Sequence, residues 1–346
     1  MQRRATIRDI AEAAGVTHGT VSRALRGDAR VKPETLRRVK RIAAELDYRP
    51  NLAARHFQRG ATGNIGILCD SGPWMIYSHY FGKLIAGVVQ ASQDGGYRSA
   101  LYLPSGVPDG MEAATPQRVR LRGLEELLDG RIDAGILVGS RRQGRDGLQA
   151  VEQAGLPLVL LGNDLPVPGH FELRSGAAER VRLATLHMLK RHRRAPALLG
   201  LYRGSAYNQA ALLAWSGALS EAGLPPGPFI EAEGGAIVSE ALLLEAARKA
   251  IAAGAGSLIC SDLSQAMQCF ELVRSGRLKR PEGFELCTFG PLLVDRITAL
   301  PAWVRFFTAD LMAEGARAFQ LAQRALKKRP VEAWVMRWSL GDGQKA

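Results

Sequence analysis

Residues 6–55 read TIRDIAEAAGVTHGTVSRALRGDARVKPETLRRVKRIAAELDYRPNLAAR. The pattern predicts three short helices. Thr6 is suited to cap the first, with Asp9 three residues on as its capping-box partner, and Ile7, Ile10, Ala11 and Ala14 then recur at helical spacing. Gly15 stops that helix, because a left-handed residue there costs glycine nothing. Thr17 can cap a second helix that turns Val21 and Leu25 inward, and Pro33 suits the first turn of a third. In that third helix Leu36, Val39, Ile42 and Leu46 form one apolar stripe. A glycine-bearing turn therefore joins two helices, and the second begins with a polar, exposed turn. A helix of that kind can place its N-terminal side chains on base edges in a major groove. The alternative is a three-helix bundle used only for protein contacts.

Charge favours the first reading. The 346 residues carry a net charge of +13. Residues 1–60 hold 14 Lys and Arg against 6 Asp and Glu, whereas the remaining 286 hold 32 against 27. The positive field thus belongs to the head, which points to a polyanion such as nucleic acid or, less often, an anionic membrane surface. Arg37, Arg38, Lys40 and Arg41 on the third helix serve equally as a solvated face or as phosphate contacts.

Beyond Thr62 the pattern changes to short apolar runs at 65–69, 99–103, 132–138, 156–161, 197–202, 257–260 and 284–289. Helix-like stretches lie between several of them, such as Leu84, Ile85, Val88 and Val89, or Leu121, Leu124, Leu127 and Leu128. This alternation predicts right-handed βαβ units and parallel sheets covered on both faces. Residues 63–340 are long enough for two such lobes with a cleft at the carboxyl ends of the strands. The four cysteines, Cys69, Cys260, Cys269 and Cys287, show no paired spacing, residues 1–20 are polar where a signal peptide is apolar, and no run approaches a membrane span. A cytoplasmic protein with reduced thiols and no membrane partner is expected.

The segment quoted above resembles, without a gap, the DNA-binding head of the lactose/galactose-repressor (LacI/GalR) family. The resemblance implies an all-α helix-turn-helix head (1–49), a hinge helix and linker (50–62) and a two-lobed, periplasmic-binding-protein-like α/β core (63–340) that binds an effector and dimerises. Position by position it makes His18, Gly19 and Arg23 the base-reading residues, with Arg23 foremost because its fork can donate two bonds to a guanine. Gly19 departs from the side chain usual at that place. Thr6, Thr17, Thr20, Arg26, Arg30, Lys32 and Thr35 match phosphate-contacting positions, which set register without selecting sequence. Asn51, Leu52, Ala54, Arg55 and Phe57 match the hinge helix, which is too short to hold alone in water and orders over DNA, with Phe57 as the minor-groove wedge.

In the core the resemblance puts Tyr80, Phe81, Ser261 and Asp310 near an effector. The charged groups usual there are replaced: Ala211 stands at the Arg position, and Gly290 and Pro291 at the paired Asp positions. The implied protein is a homodimeric regulator, a repressor by the family's habit, on an approximately palindromic double-stranded operator, with a possible small-molecule effector of unknown identity, no cofactor and no metal. Phosphate-loop, nucleophile-elbow and HExxH patterns do not occur in the sequence, which argues against an enzyme. His187 and His192, five apart on a predicted helix, read as surface residues. Two other classes stay in view: a ligand-binding module with a vestigial head, and a sugar-processing enzyme on the same core.

Overall fold

The computed structural model describes residues 5–25, 28, 30–46, 48, 61–70, 74–104, 121–139, 145–162, 167–201, 206–231, 239–290 and 301–341. Contacts divide the chain into two units, 1–61 and 62–346.

The first unit holds α1 (Ile7–Ala14), α2 (His18–Leu25) and α3 (Pro33–Glu45). Each pair is in contact around Ile10, Val21, Ala24 and Val39, all of them sealed from solvent. The predicted stripe on α3 is corrected at one place. Leu46 is the C-cap and 39% exposed, and Ala43 takes the inward position one turn earlier.

The second unit carries two six-stranded sheets. In the first lie β1 (Asn64–Cys69), β2 (Arg98–Tyr102), β3 (Ala134–Val138), β4 (Leu158–Leu161), β5 (Phe171–Arg174) and, from far along the chain, β11 (Ala333–Val335). In the second lie β6 (Ala197–Leu201), β7 (Phe229–Glu231), β8 (Ser257–Cys260), β9 (Glu285–Phe289), β10 (Val304–Thr308) and β12 (Ser339–Leu340). Their orders are β2-β1-β3-β4-β5-β11 and β7-β6-β8-β9-β10-β12, so the two lobes repeat one doubly wound plan. All described pairings are parallel except β10 with β12. Strands β3, β4, β8 and β9 are buried along their whole length, as parallel strands covered on both faces must be.

The helices of this unit are α4 (Trp74–Tyr77), α5 (His79–Asp94), α6 (Arg122–Leu128), α7 (Arg145–Gln153), α8 (Ala177–His192), α9 (Ala206–Glu221), α10 (Glu240–Ala252), α11 (Leu263–Arg274) and α12 (Leu311–Leu326). The chain passes between lobes three times: from β5 into α8, from β10 into α12, and from β11 into β12. Helix α12 returns to the first lobe and packs on α5, β3, β4 and β5. One buried cluster accordingly runs from Ile65, Ile136 and Leu161 through Met336 and Trp338 to Leu198, Ile259 and Cys287. Among the described residues no helix is long and apolar enough to cross a membrane.

His187 and His192 do not sit on the surface as expected. Both turn toward the second sheet, where Glu285 opens β9 with its side chain only 8% exposed. Arg191 binds its two oxygens at 2.8 Å, His192 Nε2 lies 3.0 Å away, and Arg305 approaches from β10 at 3.3 Å. His187 packs edge-on against Phe307, and burial, followed by the charge of Arg191, lowers its pKa.

Candidate nucleic-acid interface and interlobe cleft

Each turn of the head is held by local hydrogen bonds. The Thr6 hydroxyl accepts from Asp9 N at 3.4 Å while Thr6 N donates to the Asp9 carboxylate at 2.7 Å, closing the capping box. Gly15 adopts φ 62°, and its N–H and that of Val16 return to the carbonyls of Glu12 and Ala11. The chain can therefore reverse at once into α2, whose N-terminus is capped by the Thr17 hydroxyl accepting from Thr20 N at 3.3 Å.

This places His18, Gly19 and Arg23 together on an exposed face, while Val21 and Ala24 fill the core behind them. Arg23 Nε donates to the Gly19 carbonyl at 3.2 Å, so the guanidinium folds back over the residue that lacks a side chain. Gly19 and Arg23, one turn apart, thus form a single surface. Thr6, Thr17, Lys32 and Arg30 are exposed and Thr20 and Thr35 half-buried. The Thr17 and Thr20 hydroxyls are 3.0 Å apart, each within reach of the other. Arg30 grips Asp28 at 2.7 Å, and that hydrogen bond holds the Asp28 carboxyl well below the usual carboxylate range. Lys32 immediately precedes Pro33 and offers no cap of its own. Arg26 and the hinge residues Asn51, Leu52, Ala54, Arg55 and Phe57 lie outside the described residues.

In the larger unit, Tyr80 and Phe81 occupy the first turn of α5, their rings edge-to-face at 5.0 Å. Tyr80 also lies parallel to Trp338 at 6.3 Å, and its hydroxyl donates to Met336 Sδ at 3.4 Å. Ser261 follows β8 and its hydroxyl donates to Gln265 Oε1 at 3.3 Å. Asp310 follows β10 and accepts from Ala313 N at 3.0 Å as the N-cap of α12, a use that is complete without any ligand. Ala211 is buried on α9 beside Trp215 in the apolar core, and Gly290 ends β9 facing Leu263. Pro291 lies outside the described residues.

The family model for bacterial regulatory proteins of the lacI family matches residues 6–51. The HTH-type transcriptional regulator MalR of Streptococcus pneumoniae is 27% identical over 161 residues, 46% of each chain. The ribose operon repressor of Haemophilus influenzae is 25% identical over 305 residues, 86% of this chain and 85% of that one. The head of the chain, residues 6–51, is that of bacterial regulatory proteins of the lacI family. The chain spans about half the length of the first curated relatives it matches, 46% in each case. The fold extends further than the sequence match: a Lac repressor solved bound to ONPG in the repressed state superposes with a TM-score of 0.71 at 18% identity, covering 99% of this chain and 100% of that one.

The two-lobed core carries a feature that sequence reading missed. The Arg180 guanidinium lies 5.0 Å from the Phe289 ring and 5.1 Å from that of Trp338, a cation held between two aromatic faces. Trp338 in turn donates from Nε1 to the Ser175 carbonyl at 2.7 Å, tying the third crossover to the first. No local pattern announces the group, because Arg180 on α8, Phe289 on β9 and Trp338 in the crossover between β11 and β12 are far apart along the chain.

Proposed function

We propose that this chain is a sequence-specific DNA-binding transcription regulator. It binds an approximately palindromic operator as a homodimer, acts as a repressor, and inserts its hinge into the minor groove. The observation that carries the reading is the surface on α2, where Arg23 and Gly19 are held together by the 3.2 Å bond while the apolar half of the helix is sealed beneath them. An exposed, capped helix with one cation free to leave a backbone carbonyl suits a base edge. Two heads related by a two-fold axis read two half-sites. The effector is unassigned, since the positions that would carry charged groups in the cleft hold Ala211, Gly290 and Pro291.

The test uses the duplex selected by the full chain from a random pool, compared with a scrambled duplex at one salt concentration. Arg23→Ala is expected to lower the preference for the selected sequence by ~1–3 kcal/mol, and Lys32→Ala to weaken both duplexes alike. Equal loss of preference in the two variants contradicts the assigned roles. Failure to retain any duplex favours the ligand-binding module instead. On the same duplex Phe57→Leu should keep most of the affinity and Phe57→Asp lose most of it, with wild type bending the DNA. A straight duplex in the wild-type complex removes the wedge.

A further inference from the structure

The first lobe has a second concave site, at the amino ends of β4 and β5 and thus at the opposite end of those strands from Gly162 and Ser175. It is a cavity of about 480 Å³, within the range that holds small molecules. Its floor is apolar, with Val151, Leu158 and Phe171 all nearly sealed from solvent. Its rim carries Lys328 and Arg329, both exposed and neither within 4 Å of a carboxylate among the described residues. His170 lines it too, 8% exposed, with Nε2 3.3 Å from Glu152 Oε1 and Nδ1 buried with no partner.

Two helices end at this rim, and they end differently. After α7, Gly155 takes φ 61° and the N–H groups of Gly155 and Leu156 return to Glu152 and Val151. After α12, the same closure is made by Lys328 at φ 50°, with the N–H groups of Lys328 and Arg329 returning to Ala325 and Arg324. A left-handed residue with a Cβ is strained where glycine is not. The turn therefore holds a lysine at a position that favours glycine, and the lysine adds a cation to the rim.

We infer that this cavity binds a small organic anion, a phosphate or carboxylate joined to an apolar body. The anionic end meets Lys328 and Arg329, and the apolar end rests on Leu158 and Phe171. The inference stands independently of DNA binding, because every group involved belongs to the 62–346 unit.

The experiment is a calorimetric titration of the full chain with phenyl phosphate, with inorganic phosphate and phenol as separate probes. Saturable one-to-one binding of phenyl phosphate is expected, at least ~10-fold tighter than either half alone. Lys328→Gly and Arg329→Ser should each weaken it by about tenfold. Lys328→Gly relieves the left-handed strain, so it should melt no lower than wild type, which separates lost binding from lost folding. Unchanged affinity in both cation variants, inorganic phosphate binding as tightly as phenyl phosphate, or no saturable binding would each overturn the inference.

Discussion

Gly87→Ala and Gly315→Ala are each expected to destabilise the 62–346 unit by about 3 kcal/mol or more. Helices α5 and α12 cross so closely that a Cβ on Gly87 would stand 2.2 Å from the Met312 carbonyl oxygen, and one on Gly315 2.2 Å from that of Leu84. Backbone atoms cannot rotate aside as a side chain would. The helices must therefore separate, which loosens Leu84, Val88, Ala318 and Phe319 in the core between them. The ~1 kcal/mol that alanine gains over glycine in a helix does not offset this. Gly217, on α9 with nothing within 4 Å of its would-be Cβ, is the control. Gly217→Ala should be neutral or stabilising by ~0.5–1 kcal/mol. Urea midpoints at unchanged slope decide the matter. A Gly87→Ala midpoint equal to wild type would mean that the helices do not approach as described.

The second large effect lies at Glu285. Glu285→Gln leaves Arg305, whose side chain is only 9% exposed, and the partly solvated Arg191 without their carboxylate, at an expected cost of about 3 kcal/mol. Burial pushes the Glu285 carboxyl up. The hydrogen bonds from Arg191 and His192 and the charges of Arg191 and Arg305 outweigh that together, so its pKa falls below the ordinary 4.5. A carboxyl with a depressed folded pKa contributes stability that is present above its unfolded pKa and lost as pH falls through the lower folded value. Wild type should accordingly lose its advantage over Glu285→Gln in that acid window. Identical acid dependence in the two proteins would sink this account. The double variant Glu285→Leu with Arg305→Leu should recover much of the loss, since it removes the most deeply buried cation and leaves Arg191 and His192 nearer solvent.

The head was legible because each of its signals is local. Thr6 with Asp9, Gly15, Thr17 and Pro33 all act within four residues, and the apolar spacing around Ile10, Val21 and Val39 needs only one small core to satisfy. The strands of the lobes were legible where they are continuously apolar, as in β3, β4 and β6. They were missed where charge or brevity broke the run. Strand β5 contains Glu172 and Arg174, and its Glu172 is buried only because Val167 N and Arg174 satisfy both oxygens. Strand β10 contains Arg305, tolerated because Glu285 stands beside it. Strands β7, β11 and β12 have three residues or fewer.

By itself, then, the amino-acid sequence determined the three capped helices, the exposed face bearing His18, Gly19 and Arg23, and the alternation that makes two parallel sheets, because backbone capping and apolar periodicity are settled between near neighbours. Only the tertiary structure decided that Glu285 gathers Arg191, His192 and Arg305, that Arg180 lies against Phe289 and Trp338, and that Lys328 borders a cavity floored by Leu158. Each of those outcomes depends on a partner 20 to 170 residues away or on an element end whose surroundings come from another part of the chain. Chain crossovers and close packing set such proximities, and a charge or a ring takes its role from the groups it is packed against.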